Sequence, residues 1–303
     1  MKSVICPPFL QRGDTIGICA PARKVGQEDI EPAVKILESW GLFPVLGKNL
    51  FGADNQFSGT DAQRAEDLQE FLNDPAIKAV ISARGGYGTM RIIDRLDFTG
   101  FAENPKWIIG YSDITVLHSH VSRHLHCATM HATMPYNFNR DPHSTETLRQ
   151  ALFGVPAAYR ETNETDVPNR AGTGEGVLVG GNLSLLFALQ GSASDIETEG
   201  KILFLEDLDE YLYHIDRMVL SLKRARKLEG LKGLIIGGMH EMKDNPVPYG
   251  KTAEEIIAEQ VAEYDYPVCY GFPAGHGVKN YALQLGKKVR LDVETDLSHL
   301  TFL

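Results

Sequence analysis

Three short segments carry the residue types of a charge-stabilised nucleophile. Trp107-Ile108-Ile109-Gly110 is an apolar run that ends in Tyr111-Ser112-Asp113, after which a helical pattern begins. This reads as strand, tight turn and helix, with Ser112 on the turn. A serine there lies at a helix N-terminus, where unpaired N–H groups and the helix dipole stabilise an oxyanion. Leu203-Phe204-Leu205 delivers Glu206 at the end of a second apolar strand. Gly271-Phe272-Pro273-Ala274-Gly275-His276-Gly277 places a histidine between glycines on a loop after a third. In such a set the histidine takes the serine proton, and the carboxylate fixes the imidazole tautomer and stabilises the imidazolium. The parts meet in space, so their order along the chain decides nothing. Taken singly, each has a plainer use: Ser112 or Asp113 as a helix cap, Glu206 as a strand-end acid, His276 as a turn residue. Three parts at strand ends, two of them beside glycines, raise the chemical reading without settling it.

An oxyanion needs two donors aimed at one point. The backbone N–H of Asp113, next to the serine, is the first candidate. Gly86, in Arg84-Gly85-Gly86-Tyr87-Gly88, is the second, because glycine lets the backbone approach a substrate closely. The same glycines also suit a flexible strand-to-helix loop. Neither phosphate-loop pattern is present there. Gly172-Thr173-Gly174-Glu175-Gly176 precedes a strand and reads as linker.

The elements that must position these residues alternate. Strands are expected at 14–21, 43–46, 79–83 and 106–110, with helices at 28–40, 62–73, 90–96 and from Asp113 onward. Alternation implies crossovers and a mainly parallel sheet, whose ligands bind at the carboxyl ends of strands. Gly85, Gly86 and Ser112 then face one crevice. The stretch from Asn139 to Arg170 is polar and holds Pro142, Pro156 and Pro168. It marks a boundary: an N-terminal domain over 1–140, a linker over 141–172 and a C-terminal domain over 173–303. The second half carries strands near 176–179, 201–205, 233–236, 268–270 and 289–293, with helices near 183–190, 213–225 and 253–263. This is a second α/β or β-rich unit.

Bulk properties narrow the classes. The chain has 303 residues, 43% hydrophobic and 23% charged, as expected of a globular protein. Its net charge of -10 disfavours nucleic acid as a partner. No stretch approaches the ~20 apolar residues of a membrane span, and the N-terminus lacks the apolar region of a secretory signal. The expected location is cytoplasmic, which leaves the sequons at Asn163 and Asn182 as chance. Cys6, Cys19, Cys127 and Cys269 form no C-x-x-C pair and read as reduced, buried thiols. His118, His120, His124 and His126 cluster on one helix, but no acidic or cysteine ligand accompanies them, so no metal is expected. The basic run 223–227 suits a helix C-terminus.

In this order along the chain, several segments resemble the LD-carboxypeptidases, serine peptidases of bacterial cell-wall recycling related to the microcin C immunity peptidases. They are Gly13-Asp14-Thr15-Ile16, Arg84-Gly85-Gly86-Tyr87-Gly88, Ile109-Gly110-Tyr111-Ser112-Asp113 and His131-Ala132-Thr133-Met134-Pro135, then Gly180-Gly181-Asn182-Leu183-Ser184, Leu205-Glu206-Asp207, Ile215-Asp216-Arg217-Met218 and Gly275-His276-Gly277. The resemblance implies Ser112 as nucleophile, His276 as general base, Glu206 as orienting carboxylate, and oxyanion donors at Gly86 and Asp113. It implies a flavodoxin-like N-terminal domain with a parallel sheet, joined to a smaller swivelling C-terminal α/β domain. It also implies a homodimer that needs no cofactor and no metal. The substrate implied is a muropeptide tetrapeptide, cut before its terminal D-alanine. A carboxypeptidase must hold the terminal carboxylate, and Arg84 and Arg217 are the candidates. The segment 206–213 looks like the carboxypeptidase side of the family. Two other readings stand beside it: an immunity-type peptidase acting on peptidyl or aminoacyl nucleotide analogues, and a non-catalytic protein that binds cell-wall fragments.

Overall fold

The computed structural model describes residues 4–303, which build two sheets. The first sheet takes β1 (Thr15–Cys19), β2 (Phe43–Leu46), β3 (Ile77–Ser82), β4 (Trp107–Gly110) and β5 (Thr129–His131). The helices between them are α1 (Gln27–Ser39), α2 (Asp61–Asn73), the short α3 (Thr99–Glu103) and α4 (Thr115–Leu125). The five strands are parallel in the order 2-1-3-4-5, which is the flavodoxin-like order. β1, β3 and β4 are apolar almost throughout because helices cover both faces of the sheet. Ile16, Ile18, Ile81 and Ile109 pack towards α1, through Ile30 and Leu37. The alternate residues Val80 and Ile108 pack towards α2 and α4, through Leu68, Leu72 and Val121.

Local chemistry sets the helix ends. Thr60 caps α2 by accepting from the Gln63 N–H, and the Gln63 side chain accepts from the Thr60 N–H in return. At the other end, buried Lys106 donates to the carbonyls of Phe71 and Asp74, 2.8 and 2.6 Å away, and so binds the last turn of α2 to the start of β4. Residues 90–96 form two 3₁₀ turns, Thr89–Arg91 and Ile93–Arg95, where a short α-helix was expected.

Two further elements fill the stretch that reads as a linker. α5 (Pro142–Leu152) is capped by Asp141 and buries Leu148 and Leu152 under the first sheet. β6 (Ala158–Thr162) forms an edge of the second sheet. The prolines responsible for the linker reading sit where proline is tolerated: Pro142 opens α5, and Pro156 and Pro168 lie outside elements.

The second sheet continues with β7 (Gly172–Asn182), β8 (Ile202–Leu208), β9 (Gly233–His240) and β10 (Val268–Cys269), all parallel. Between them run α6 (Leu183–Ala188), α7 (Leu212–Arg224) and α8 (Ala253–Gln260). After the short β11 (Leu283–Leu285), β12 (Lys288–Val293) and β13 (Leu297–Phe302) join antiparallel, in the order β10-β9-β8-β7-β12-β13-β6. Residues 172–176 therefore belong to β7, paired to β12, and are no linker. β11 leaves this sheet altogether and pairs antiparallel with β5, extending the first sheet. Cys19, Cys127 and Cys269 are buried thiols, whereas Cys6 is exposed.

Trp107 opens the strand that carries Ser112. It is fully buried, and its indole N–H donates to the Pro8 carbonyl at 3.0 Å. We expect Trp107→Ala to destabilise the fold by about 3–5 kcal/mol. Urea unfolding checks this through a lowered midpoint at unchanged slope.

Candidate active site

β4 ends at Gly110, Tyr111 is extended, and Ser112 takes φ 62°, the left-handed region that a side chain rarely adopts. A 3₁₀ turn over Ser112–Ile114 then feeds α4. The chain reverses sharply at the serine and holds its hydroxyl out at the carboxyl edge of the sheet, the geometry of a nucleophile elbow. The turn has no side-chain cap. The Asp113 carboxylate is buried and accepts from the Thr89 N–H at 2.7 Å, which ties the elbow to the neighbouring glycine loop. The capping use of this Ser-Asp pair is thus not the one realised.

β8 brings in the carboxylate. All its residues to Asp207 are buried, and Glu206 is fully so. Its Oε2 lies 2.7 Å from His276 Nδ1, and His276 Nε2 lies 3.0 Å from Ser112 Oγ. The three side chains form one line of hydrogen bonds across residues from both sheets. Two glycines make room for it. A Cβ on Gly85 would stand 3.0 Å from Ser112 Cβ and 3.3 Å from its Oγ. Gly275 has φ 121°, and a Cβ there would fall 2.6 Å from Glu206 Oε2.

Burial would raise the Glu206 carboxyl, but the imidazole of His276, its hydrogen bond and the nearby His131 outweigh that and hold it below its ordinary value. In return Glu206 outweighs the burial of His276 and holds that imidazole above 6.5. Behind the pair, burial pushes His131 down to about 4, so it is neutral. Burial, with Glu206 nearby, pushes the Tyr111 phenol up to about 12. Asp207 is raised to about 7 by burial and by Glu206 beside it, although it accepts from Asn182 Nδ2 and from the N–H groups of Ser184 and Leu208.

A cleft of about 390 Å³ opens over this line. Ser112, His276, Gly85 and Gly86 lie in its wall, and among the described residues neither the Gly86 nor the Asp113 N–H has an acceptor. Both are free to donate to an oxyanion. Arg84 lines the cleft with its guanidinium 4.2 Å above the Tyr136 ring. Arg217 does not reach it: it lies exposed on α7, over the Tyr213 ring at 5.2 Å. Arg23, which the sequence reading passed over, also lines the cleft, and its side chain lies along Gly86. Its signal was its position just after β1, at the carboxyl end of a parallel strand.

The histidine cluster is structural. His118 contacts the Gly110 carbonyl at 2.9 Å, His120 contacts Ser194 Oγ at 2.9 Å, and His124 contacts the Ala193 carbonyl at 2.7 Å. Among the described residues no group of three His, Cys, Asp or Glu side chains is placed to hold a metal ion. No helix among them is long and apolar enough to cross a membrane. Asn182 is buried against Asp207, which leaves no room for a glycan.

Comparison with known proteins matches the family model for the LD-carboxypeptidase N-terminal domain to residues 16–132, and that for the LD-carboxypeptidase C-terminal domain to residues 175–291. The chain belongs to the LD-carboxypeptidase family. A probable murein peptide carboxypeptidase of Bacillus subtilis is 34% identical over 94% of this chain and 91% of its own. The crystal structure of a muramoyltetrapeptide carboxypeptidase from Oxalobacter formigenes superposes with a TM-score of 0.85 at 26% identity, covering 95% of this chain and 98% of that one. The microcin C7 self-immunity protein MccF of Escherichia coli is 28% identical over 93% of this chain and 91% of its own. Membership of the LD-carboxypeptidases makes this chain a peptidase of the carboxypeptidase kind.

The contact at Gly85 gives a direct test of the elbow. Gly85→Ala pushes a methyl against Ser112, and a displacement of about 1 Å at a reacting group costs about 10²-fold in rate. We expect labelling of Ser112 by a fluorophosphonate to slow accordingly while the melting temperature stays close to native.

Proposed function

We propose that this chain is a serine LD-carboxypeptidase that removes the terminal D-alanine from muropeptide tetrapeptides. The observation that carries the reading is the line Ser112 Oγ–His276 Nε2–Glu206, at 3.0 and 2.7 Å, in the wall of an open cleft. The names of the relatives supply the substrate class.

The steps follow from the geometry. Ser112 Oγ attacks the carbonyl carbon before the D-alanine and passes its proton to His276 Nε2. Glu206 keeps the other imidazole proton on Nδ1 and stabilises the cation that forms. The oxyanion turns to the N–H groups of Gly86 and Asp113. His276 returns the proton to the departing amine, D-alanine leaves, and an acyl-serine remains. Water then enters, His276 removes its proton, and attack on the ester frees the tripeptide and restores Ser112. Arg84, with Arg23 beside it, supplies positive charge for the terminal carboxylate. In this reading the protein is cytoplasmic and homodimeric, and works without metal or cofactor. The N-terminal half presents the nucleophile and the C-terminal half the base and its carboxylate.

The first test is D-alanine release from a muropeptide tetrapeptide with a chelator present. The native protein releases it, and Ser112→Ala, still folded, is slower by at least about 10³-fold. Retained release in that variant overturns the serine assignment. No release by the native protein points to the immunity-type substrates, and failure there to a binding protein.

The pH dependence has a defined sign. Only neutral imidazole accepts the serine proton, and Glu206 favours the protonated form of His276. Activity is therefore lost as pH falls, and the midpoint of that limb in kcat/KM lies above 6.5, the ordinary histidine value. Glu206→Gln removes the charge, so the limb moves down in pH while the rate drops.

A further inference from the structure

The catalytic histidine stands on a loop of the second half, yet it must meet a serine on the first. Asn280 connects the two. Its Oδ1 accepts from the Gly275 N–H at 2.9 Å, directly before His276. The same oxygen lies 3.2 Å from Nε2 of His131, at the end of β5. The Asn280 N–H donates to Ser144 Oγ on α5 at 2.7 Å, and Ser144 Oγ donates onward to Asp141 at 2.6 Å. Next along, the Ala282 N–H donates to Thr147 Oγ1 at 3.1 Å, and β11 pairs with β5. Asn280 is buried, and its Nδ2 has no partner among the described residues, so its side chain acts through Oδ1 alone.

This arrangement decides a tautomer. The Gly275 amide is only a donor, so the Asn280 atom facing it is the oxygen. His131 Nε2 faces that oxygen and must carry the proton, which leaves Nδ1 bare, and Nδ1 has no partner. The ring is wedged between Tyr111 and Phe204, with centroids 5.8 and 4.9 Å away. His131 is thus a fixed neutral donor inside the first sheet, and one amide oxygen links it to the backbone beside His276.

We infer that Asn280 is a positioning residue: its side-chain oxygen bridges His131 of the nucleophile's sheet to the Gly275 amide and so sets His276 against Ser112. The role rests on the triad reading and asks nothing of the peptide substrate. A loop held only by its own sheet would leave the Ser112–His276 distance to the relative placement of the two halves. Beside the Arg140 side chain, which donates to the His276 carbonyl at 3.2 Å, the bridge limits that freedom at the point where it matters to proton transfer, since general base catalysis requires hydrogen-bond reach.

The test compares Asn280→Ala and Asn280→Asp with the native protein, each shown to be folded by its thermal melt. Asp keeps an oxygen for both donors; Ala keeps none. In Ala, kcat for D-alanine release falls by about 10²-fold with KM unchanged, and fluorophosphonate labelling of Ser112 slows in parallel. Asp recovers most of both rates. Nitrogen NMR of the native protein shows His131 neutral with its proton on Nε2, and that signature is lost in Ala. Native-like labelling in Ala, equal losses in Ala and Asp, or a native His131 protonated on Nδ1 each overturns the inference. A native protein labelled at Ser112 that releases no D-alanine overturns only the substrate. A native protein not labelled at Ser112 overturns the triad, and this inference with it.

Discussion

The structure is organised around one buried charge. Glu206 is fully enclosed, and an ionised carboxylate in that position is strongly unfavourable unless a partner compensates it. His276 is that partner, at 2.7 Å, and the attraction overcomes burial on both sides of the pair. The pair has little room to relax. Gly275 leaves no space for a side chain beside Glu206, and Phe204 and His131 fill the same region of the core. Moving the loop that carries His276 would leave the buried carboxylate without its hydrogen-bond partner, so the packing around Glu206 and the placement of His276 are one requirement.

That requirement extends to the meeting of the two sheets. The Asn182 N–H donates to Thr115 Oγ1 at 3.0 Å, just after the elbow, while the Asn182 side chain holds Asp207. Ser119 donates to the Ser194 carbonyl at 2.5 Å, and His120 and His124 contact the same loop. β11 also completes the first sheet with residues from the C-terminal half. The halves are therefore joined both by strand pairing and by hydrogen bonds. The cleft between them carries Arg23 and Arg84 from the first half and Asp209 from the second.

Much of this was legible in the sequence. The parallel character of the first sheet followed from alternating apolar runs and amphipathic stretches, its flavodoxin-like fold only from the family resemblance, and the three segments bearing Ser112, Glu206 and His276 stood out because each was read at the end of a strand. What escaped has physical reasons. β5 and β11 are very short, and β6 and β13 are only partly buried, so their pairing depends on distant partners that no local pattern records. α5 was hidden by its opening proline and polar residues, since Ser144, Thr145 and Thr147 are buried through hydrogen bonds instead of apolar contact. Arg217 looked suitable by its neighbours in the chain, but its helix faces it outward, while Arg23 reached the cleft through the end of β1.

The histidines of α4 show how a misleading composition arises. A serine at φ 62° costs on the order of 1–3 kcal/mol, and it persists only if its surroundings over-determine it. Here the Gly110 carbonyl meets both the Ala132 N–H at 3.2 Å and Nε2 of buried His118 at 2.9 Å. Burial drives His118 down to about 3, so its ring is neutral and donates its one proton to that carbonyl. The Ile114 N–H closes on the Tyr111 carbonyl, and Asp113 closes on Thr89. Each such bond contributes about 0.5–1.5 kcal/mol net, enough together to offset the strain of the elbow. The cluster that resembles a metal site in the sequence is, in part, the support that keeps a serine in a conformation serine does not choose.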